Sequence, residues 1–232
     1  ASKGENEMKM PKAVLFDMDG LMIDSERVTY EGYQELCRKE GVEMDLDTYK
    51  KCLGKPVRGI WQVFYDAYGD DFPIERIMKE NHARMADIFE TEGVPLKEGL
   101  KELLEWLNEQ NIPCVLATSS TRDRVDKILD RAGLTDLFKD AVCGDEVSKG
   151  KPDPEIFLTA AAKAGAEPED SLVLEDSEMG ILAAADGNLP VICVPDMKYP
   201  LDQYARRCTE ICDSLLDVLQ LLKAESEAVQ LS

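Results

Sequence analysis

Five short apolar runs punctuate the chain: Ala13–Phe16, Cys114–Ala117, Ala141–Cys143, Leu172–Leu174 and Val191–Val194. Each is too short for a helix and apolar throughout, as a strand covered on both faces must be. Between the later runs the apolar residues change to the helical period. Leu100, Leu103, Leu104 and Leu107 follow it, as do Val125, Ile128, Leu129 and Ala132, and then Ile156, Phe157, Ala160, Ala161 and Ala164. Strands that alternate with helices imply βαβ crossovers. The expected fold is therefore α/β, a doubly wound parallel sheet with helices on both faces.

The interval between the first and second runs breaks this rhythm. Asp24 to Pro95 carries only helix-like segments, Glu26–Glu40, Asp47–Leu53, Gly59–Tyr68 and Ile74–Glu90, separated by Gly41, Gly54-Lys55-Pro56 and Gly69-Asp70-Asp71-Phe72-Pro73. One crossover needs about a dozen residues. Residues 24–95 are thus expected to form a helical domain, inserted into a core made of 11–23 and 96–223. Ligands in open α/β sheets bind beyond the carboxyl ends of the strands, so an insertion there is placed to act as a lid. Leu215–Leu222 reads as a closing helix, residues 224–232 as a C-terminal tail and residues 1–10 as a tail, either disordered or foreign to the native protein.

Charge narrows the partners. With 27 Lys+Arg against 47 Asp+Glu, the net charge of −20 disfavours nucleic acid and anionic membrane surfaces, both of which reward basic residues. No apolar stretch approaches the ~20 residues of a bilayer span. The seven cysteines are an odd number without a paired CxxC, and Cys114, Cys143 and Cys193 lie inside apolar runs, as free thiols do. A reducing compartment, the cytoplasm, is expected, and so is a monomer.

A single histidine, His82 on a polar-faced helical stretch, removes Ser-His-Asp catalysis and histidine-based zinc sites. Gly144 to Lys151 resembles a P-loop but has five residues between its glycines and Pro152 after its lysine. Asp17-Met18-Asp19-Gly20 opens like an EF-hand loop but lacks the later acidic ligands. Acids and bases must come from carboxylates or lysines.

The strand ends supply them. The first run ends in Asp17-Met18-Asp19-Gly20, the second in Thr118-Ser119-Ser120 and the fourth in Glu175-Asp176-Ser177, while Lys151-Pro152-Asp153-Pro154 opens the helix after the third. A parallel sheet gathers all four at one edge. Four crowded carboxylates repel one another, and a hard divalent cation such as Mg²⁺ relieves the repulsion. Thr118, Ser119 and Lys151 suit phosphate oxygens. Asp17 and Asp19 leave the same side of an extended chain, so one carboxylate can attack phosphorus while the other transfers protons. Gly20 lets the chain turn away at positive φ.

Asp17-Met18-Asp19-Gly20-Leu21, Thr118-Ser119, Gly150-Lys151-Pro152-Asp153-Pro154 and Leu174-Glu175-Asp176-Ser177 with Gly180 resemble, in order and spacing, the four motifs of the haloacid dehalogenase superfamily. The resemblance spans about Lys12 to Leu222 and is closest to the branch of β-phosphoglucomutase and sugar-phosphate phosphatases, with a helical cap after the first motif. It implies a Rossmann-like core, Asp17 as nucleophile and Asp19 as acid/base. It places Mg²⁺ on Asp17, the Asp19 carbonyl and Asp176 with Glu175 in support, and phosphate on Thr118 and Lys151. The mutases of this branch carry a cap histidine twelve residues after the nucleophile; here that residue is Thr29. The expected activity is hydrolysis of a small phosphorylated metabolite, above all a sugar phosphate. A hexose-phosphate mutase is the alternative, and a non-catalytic phosphate-binding module is less favoured. In the insertion, Asp24-Ser25-Glu26 reads equally as a helix cap or a substrate contact. Lys55 and Arg58 read as solvent-facing residues, and Trp61, Tyr65 and Tyr68 as packing residues of the insertion.

Overall fold

Four of the six strands are covered at every position. In the computed structural model, which describes residues 8–232, β1 (Ala13–Phe16) and β2 (Cys114–Ala117) are buried along their whole length. They are joined by β3 (Asp140–Val142), β4 (Ser171–Glu175), β5 (Val191–Cys193) and β6 (Glu210–Ile211). The sheet order is β3-β2-β1-β4-β5-β6, and every pair is parallel. The third strand begins at Asp140, one residue before its apolar run, and ends before Cys143, which is nonetheless buried. The sixth strand has no apolar run of its own; its two residues pair with β5 through backbone bonds at the sheet edge, and Ile211 also packs against the core.

Chain Asp24–Pro95 forms one compact unit, and the residues on either side of it form another. The helical unit holds α1 (Ser25–Lys39), α2 (Leu46–Lys50), α3 (Val57–Tyr68) and α4 (Ile74–Thr91). Its main seam is α1 on α4, where Gly32 permits close approach: a Cβ there would lie 1.8 Å from Asn81 Oδ1. The Asn81 amide Nδ2 donates across the seam to the Thr29 carbonyl at 3.0 Å. Tyr68 packs its ring on Phe64 and Phe72, so this residue belongs to the interior of the unit. Trp61 is half-buried, with its indole Nε1 fully covered.

The α/β unit adds α5 (Leu100–Glu109), α6 (Arg122–Ala132), α7 (Glu155–Ala164), α8 (Glu178–Asp186), α9 (Asp202–Ala205) and α10 (Leu215–Leu231). Helix α7 lies across β1, β2 and β3, burying Ile156, Phe157, Ala160 and Ala161, while α5 packs on α10 and β2 through its leucines. The C-terminal tail expected over 224–232 is instead helical as far as Leu231. Ala224 to Leu231 contains good helix formers and neither Gly nor Pro, so nothing stops α10 after its last buried residue, Leu222. Of the tail expected over 1–10, residues 1–7 lie outside the described residues. Lys9 is anchored, its Nζ donating to Asp170 Oδ1 at 2.9 Å.

Where the chain departs from the α/β unit and returns to it, an antiparallel bridge joins Ile23 to Leu96, and the Lys97 N–H donates to the Met22 carbonyl at 2.8 Å. Inside the helical unit the two ends are likewise joined, Asp24 N–H to the Pro95 carbonyl at 2.8 Å. All seven cysteines are buried and unpaired. Among the described residues no helix is long and apolar enough to cross a membrane.

Candidate active site

Strands β1, β2 and β4 lie side by side, so the segments that leave them meet at one edge. Asp17 leaves β1 with its N–H still bonded to the Leu174 carbonyl at 3.1 Å, Thr118 leaves β2 bonded to the Val142 carbonyl at 3.0 Å, and Glu175 ends β4. One carboxylate oxygen each from Asp17, Glu175 and Asp176 falls within a 4.8 Å cluster. Gly20 makes the approach possible: its φ is +84°, and a Cβ there would sit 2.1 Å from Asp176 Oδ2.

Lys151 is the cation of this cluster. Its Nζ donates to Asp17 Oδ1 at 2.9 Å, to Glu175 Oε2 at 2.9 Å and to the Ala117 carbonyl at 3.2 Å, and it lies 4.9 Å from the centre of the Phe157 ring. Glu175 is wholly buried and tied on its other oxygen as well. Its Oε1 accepts from the N–H groups of Asp176 and Ser177 and from the Ser177 hydroxyl, at 3.0, 3.2 and 3.1 Å. Ser177 Oγ in turn caps α8 by accepting from Gly180 N–H. Gly180 is required there, because a Cβ would come within 1.9 Å of Glu175 Cδ.

Three clustered carboxylates, those of Asp17 and Glu175 buried and that of Asp176 partly so, stand against one ammonium, and burial together with this charge imbalance appears in the proton affinities. Burial, and then the charge of Glu175, push Asp17 up to about 7, with Lys151 opposing. Burial and the charges of Asp17 and Glu175 raise Asp176 well above the usual carboxylate range. Burial acts to raise Glu175 too, but the Lys151 charge and the surrounding hydrogen bonds outweigh it and leave it lowered. Lys151 is disfavoured by burial and still held protonated by its two carboxylates. An all-oxygen, over-charged and buried donor set fits a hard divalent cation such as Mg²⁺.

The structure brings Asp17, Glu175 and Asp176 together, sets Lys151 between Asp17 and Glu175, and places Thr118 directly after Ala117, whose carbonyl Lys151 meets. Thr118 is buried, and its Oγ1 accepts from the Ser120 N–H at 3.1 Å. Ser119 is exposed, and its carbonyl lies against Gly144, where a Cβ would come within 2.1 Å. The Asp19 carboxylate lies outside the three-carboxylate cluster and is held by Arg124, whose Nη1 donates to Oδ2 at 2.7 Å and Nη2 to Oδ1 at 2.9 Å; Ser120 Oγ donates to Oδ2 at 3.1 Å. Sequence reading missed Arg124. The available signal was a cation in the first turn of α6, where helix electrostatics disfavour one.

Within the helical unit, Asp24 stands at the N-cap of α1 but spends its carboxylate on Arg27 Nε at 2.7 Å, and Glu26 accepts from the Tyr49 hydroxyl. Lys55, Arg58 and His82 are exposed, and Thr29 Oγ1 donates to the Ser25 carbonyl at 2.8 Å.

Comparison with known proteins agrees with this geometry. Residues 14–194 match the haloacid dehalogenase-like hydrolase family. A phosphorylated carbohydrates phosphatase of Thermotoga maritima is 32% identical over 77% of this chain and 82% of its own length. A Drosophila melanogaster protein named as a probable pseudouridine-5'-phosphatase is 31% identical over 88% of this chain and 89% of its own. A haloacid dehalogenase family hydrolase from Deinococcus radiodurans R1, solved with bound phosphate and sodium, superposes with a TM-score of 0.81 at 25% identity, covering 94% of this chain and 98% of that one. With a sheet of this order, acids at these strand ends and a family match over most of its length, the chain belongs to the haloacid dehalogenase-like hydrolases.

Proposed function

We propose that the protein is a Mg²⁺-dependent phosphatase of a small phosphorylated metabolite, with a sugar phosphate the favoured substrate, acting through an aspartyl phosphate on Asp17. The observation that carries this reading is the cluster of Asp17, Glu175 and Asp176, with Lys151 bonded to Asp17 and Glu175 within it. The Thermotoga and Drosophila relatives, named as phosphatases of phosphorylated carbohydrates and of pseudouridine 5'-phosphate, support the substrate class.

In this reading Asp17 Oδ attacks phosphorus and the bond from phosphorus to the ester oxygen breaks. The departing alkoxide takes a proton from Asp19 and leaves as an alcohol. Water then attacks the phosphorus of the aspartyl phosphate and gives its proton to Asp19, which releases inorganic phosphate and restores the Asp17 carboxylate. Lys151 and the Thr118 hydroxyl bind the phosphoryl oxygens, and Ser119 contributes at the rim. Asp17, Asp176 and the Asp19 carbonyl would hold Mg²⁺, with Glu175 orienting the set; when bound, the ion neutralises charge on the phosphoryl group. Glu175 keeps Lys151 in place and charged. The helical unit, residues 24–95, serves as a cap. The buried, unpaired cysteines support a cytoplasmic setting, and a monomer is expected. A hexose-phosphate mutase is disfavoured by Thr29, a residue without an imidazole, whose hydroxyl is committed to the Ser25 carbonyl.

Free phosphate released from a panel of metabolite phosphates, with Mg²⁺ and with chelator, tests the proposal. Wild type should turn over at least one sugar phosphate and Asp17→Asn none. Equal turnover by the two proteins across the panel would sink it. Interconversion of hexose 1- and 6-phosphates that depends on a bisphosphate primer, without net phosphate release, would instead make it a mutase.

A further inference from the structure

Arg124 stands where helix electrostatics argue against it. It is the third residue of α6, in the turn whose unpaired N–H groups disfavour a cation. The local backbone is fixed, since the Arg124 N–H donates to Oγ1 of the capping Thr121 at 3.4 Å. The side chain reaches a residue 105 positions away, gripping both oxygens of Asp19 at 2.7 and 2.9 Å. Nη1 also donates to Ser120 Oγ at 2.6 Å, and that hydroxyl donates to Asp19 Oδ2 at 3.1 Å. Arg122, in the same turn, is paired with Glu146 and the Ala141 carbonyl, which ties the start of α6 to β3 and the turn after it. Arg124 differs in spending its fork on a carboxylate two residues beyond Asp17.

We propose that Arg124 is the positioning residue for Asp19, a role that rests on reading Asp19 as the acid/base. The Asp19 side chain is 35% exposed on a turn and would sample several rotamers if unheld. A planar fork that fixes both oxygens, braced by Ser120, selects one. Proton transfer rewards such fixing: a positioned acid or base contributes about 10²–10⁴-fold, and a misplacement of about 1 Å costs up to about 10²-fold.

The test is leaving-group dependence of kcat/KM, which reads the step in which the ester oxygen departs. Arg124→Ala should lower kcat/KM on alkyl phosphates about 30- to 100-fold, yet less than about 3-fold on p-nitrophenyl phosphate, whose phenolate leaves without a proton. In an Asp19→Asn background the same change should add less than about 3-fold, because the two residues act as one unit. Arg124→Lys should recover part of the loss on alkyl esters. Equal losses on both esters, as a folding defect would also give, overturn the proposal, as do losses that multiply with Asp19→Asn. Asp19→Asn alone with wild-type kcat/KM on alkyl esters would refute the acid/base role itself, a failure read independently of any change at Arg124.

Discussion

Stripped of divalent cations, the protein should lose stability as the pH rises, and Mg²⁺ should cancel most of that loss. Asp17 is raised by burial, and then by the Glu175 charge, from 3.8 to about 7. In the unfolded chain it titrates at its ordinary value. Between those two values the native state binds more protons than the unfolded state, so the Asp17 contribution to stability falls as pH rises through the window and is spent above about pH 7. About three units at roughly 1.4 kcal/mol each amount to about 4 kcal/mol, against a total stability of about 5–15 kcal/mol for a domain. Asp176, also raised, acts in the same sense. Glu175 is lowered, so its contribution grows with pH and is complete by its ordinary value of 4.5, at the acid end of the window. The window is otherwise sparse, because the chain has one histidine, His82. The assay is urea unfolding across this pH range, in chelator and in excess Mg²⁺. A cation that binds the deprotonated carboxylates stabilises more at high pH, so the two curves should diverge as pH rises. A chelated protein whose stability is flat or rising through the window would refute the reasoning, as would Asp17→Asn retaining the full slope.

Lys151→Met keeps much of the stem and removes the ammonium between Asp17 and Glu175; urea unfolding at neutral pH should show a loss of about 3–5 kcal/mol, shrinking in acid as the carboxylates take up protons. Gly180→Ala forces Glu175 off its bonds to the Ser177 loop, and should cost about 1–3 kcal/mol in unfolding experiments and reduce phosphate release. An unchanged melting curve there would show that α8 can shift without disturbing Glu175. Gly32→Ala drives a methyl into the Asn81 amide and should cost about 1–3 kcal/mol, read as faster hydrogen exchange in α1 and α4.

The acids were legible because their chemistry coincides with chain punctuation. Asp17 and Glu175 sit where the apolar runs Ala13–Phe16 and Leu172–Leu174 stop, so the topology alone fixes their neighbourhood. What those carboxylates do there was not legible. Nothing in the order of residues says that Glu175 divides its oxygens between Lys151 and the Ser177 loop, or that Ser120 and not Ser119 meets Asp19. Both depend on side-chain reach across the sheet edge. Arg124 was hidden for the same reason, since no periodicity links a helix turn to a carboxylate 105 positions away. The second strand pair of the far edge, β5 with β6, rests on two residues, fewer than any alternation needs to declare itself. Helix α10 outran its apolar face because propensity alone sustains its last two turns.

The inserted helices also bear on how the sheet can assemble. Strand β1 is central, and its partners lie far along the chain: Val14 faces Cys114 on one side and Leu172 on the other. Such pairings are slow to form, because a long loop must close before any ladder bond is gained. The Asp24–Pro95 unit has its two ends already bonded to each other, so once folded it brings β1 within about a quarter of that chain distance from β2. Loop-closure entropy falls with the logarithm of length, which makes this shortening worth about 1 kcal/mol toward nucleating the central pair. An early-folding insert would thus act as a clamp on the growing chain, holding the nucleophile strand near the place where β2 will arrive.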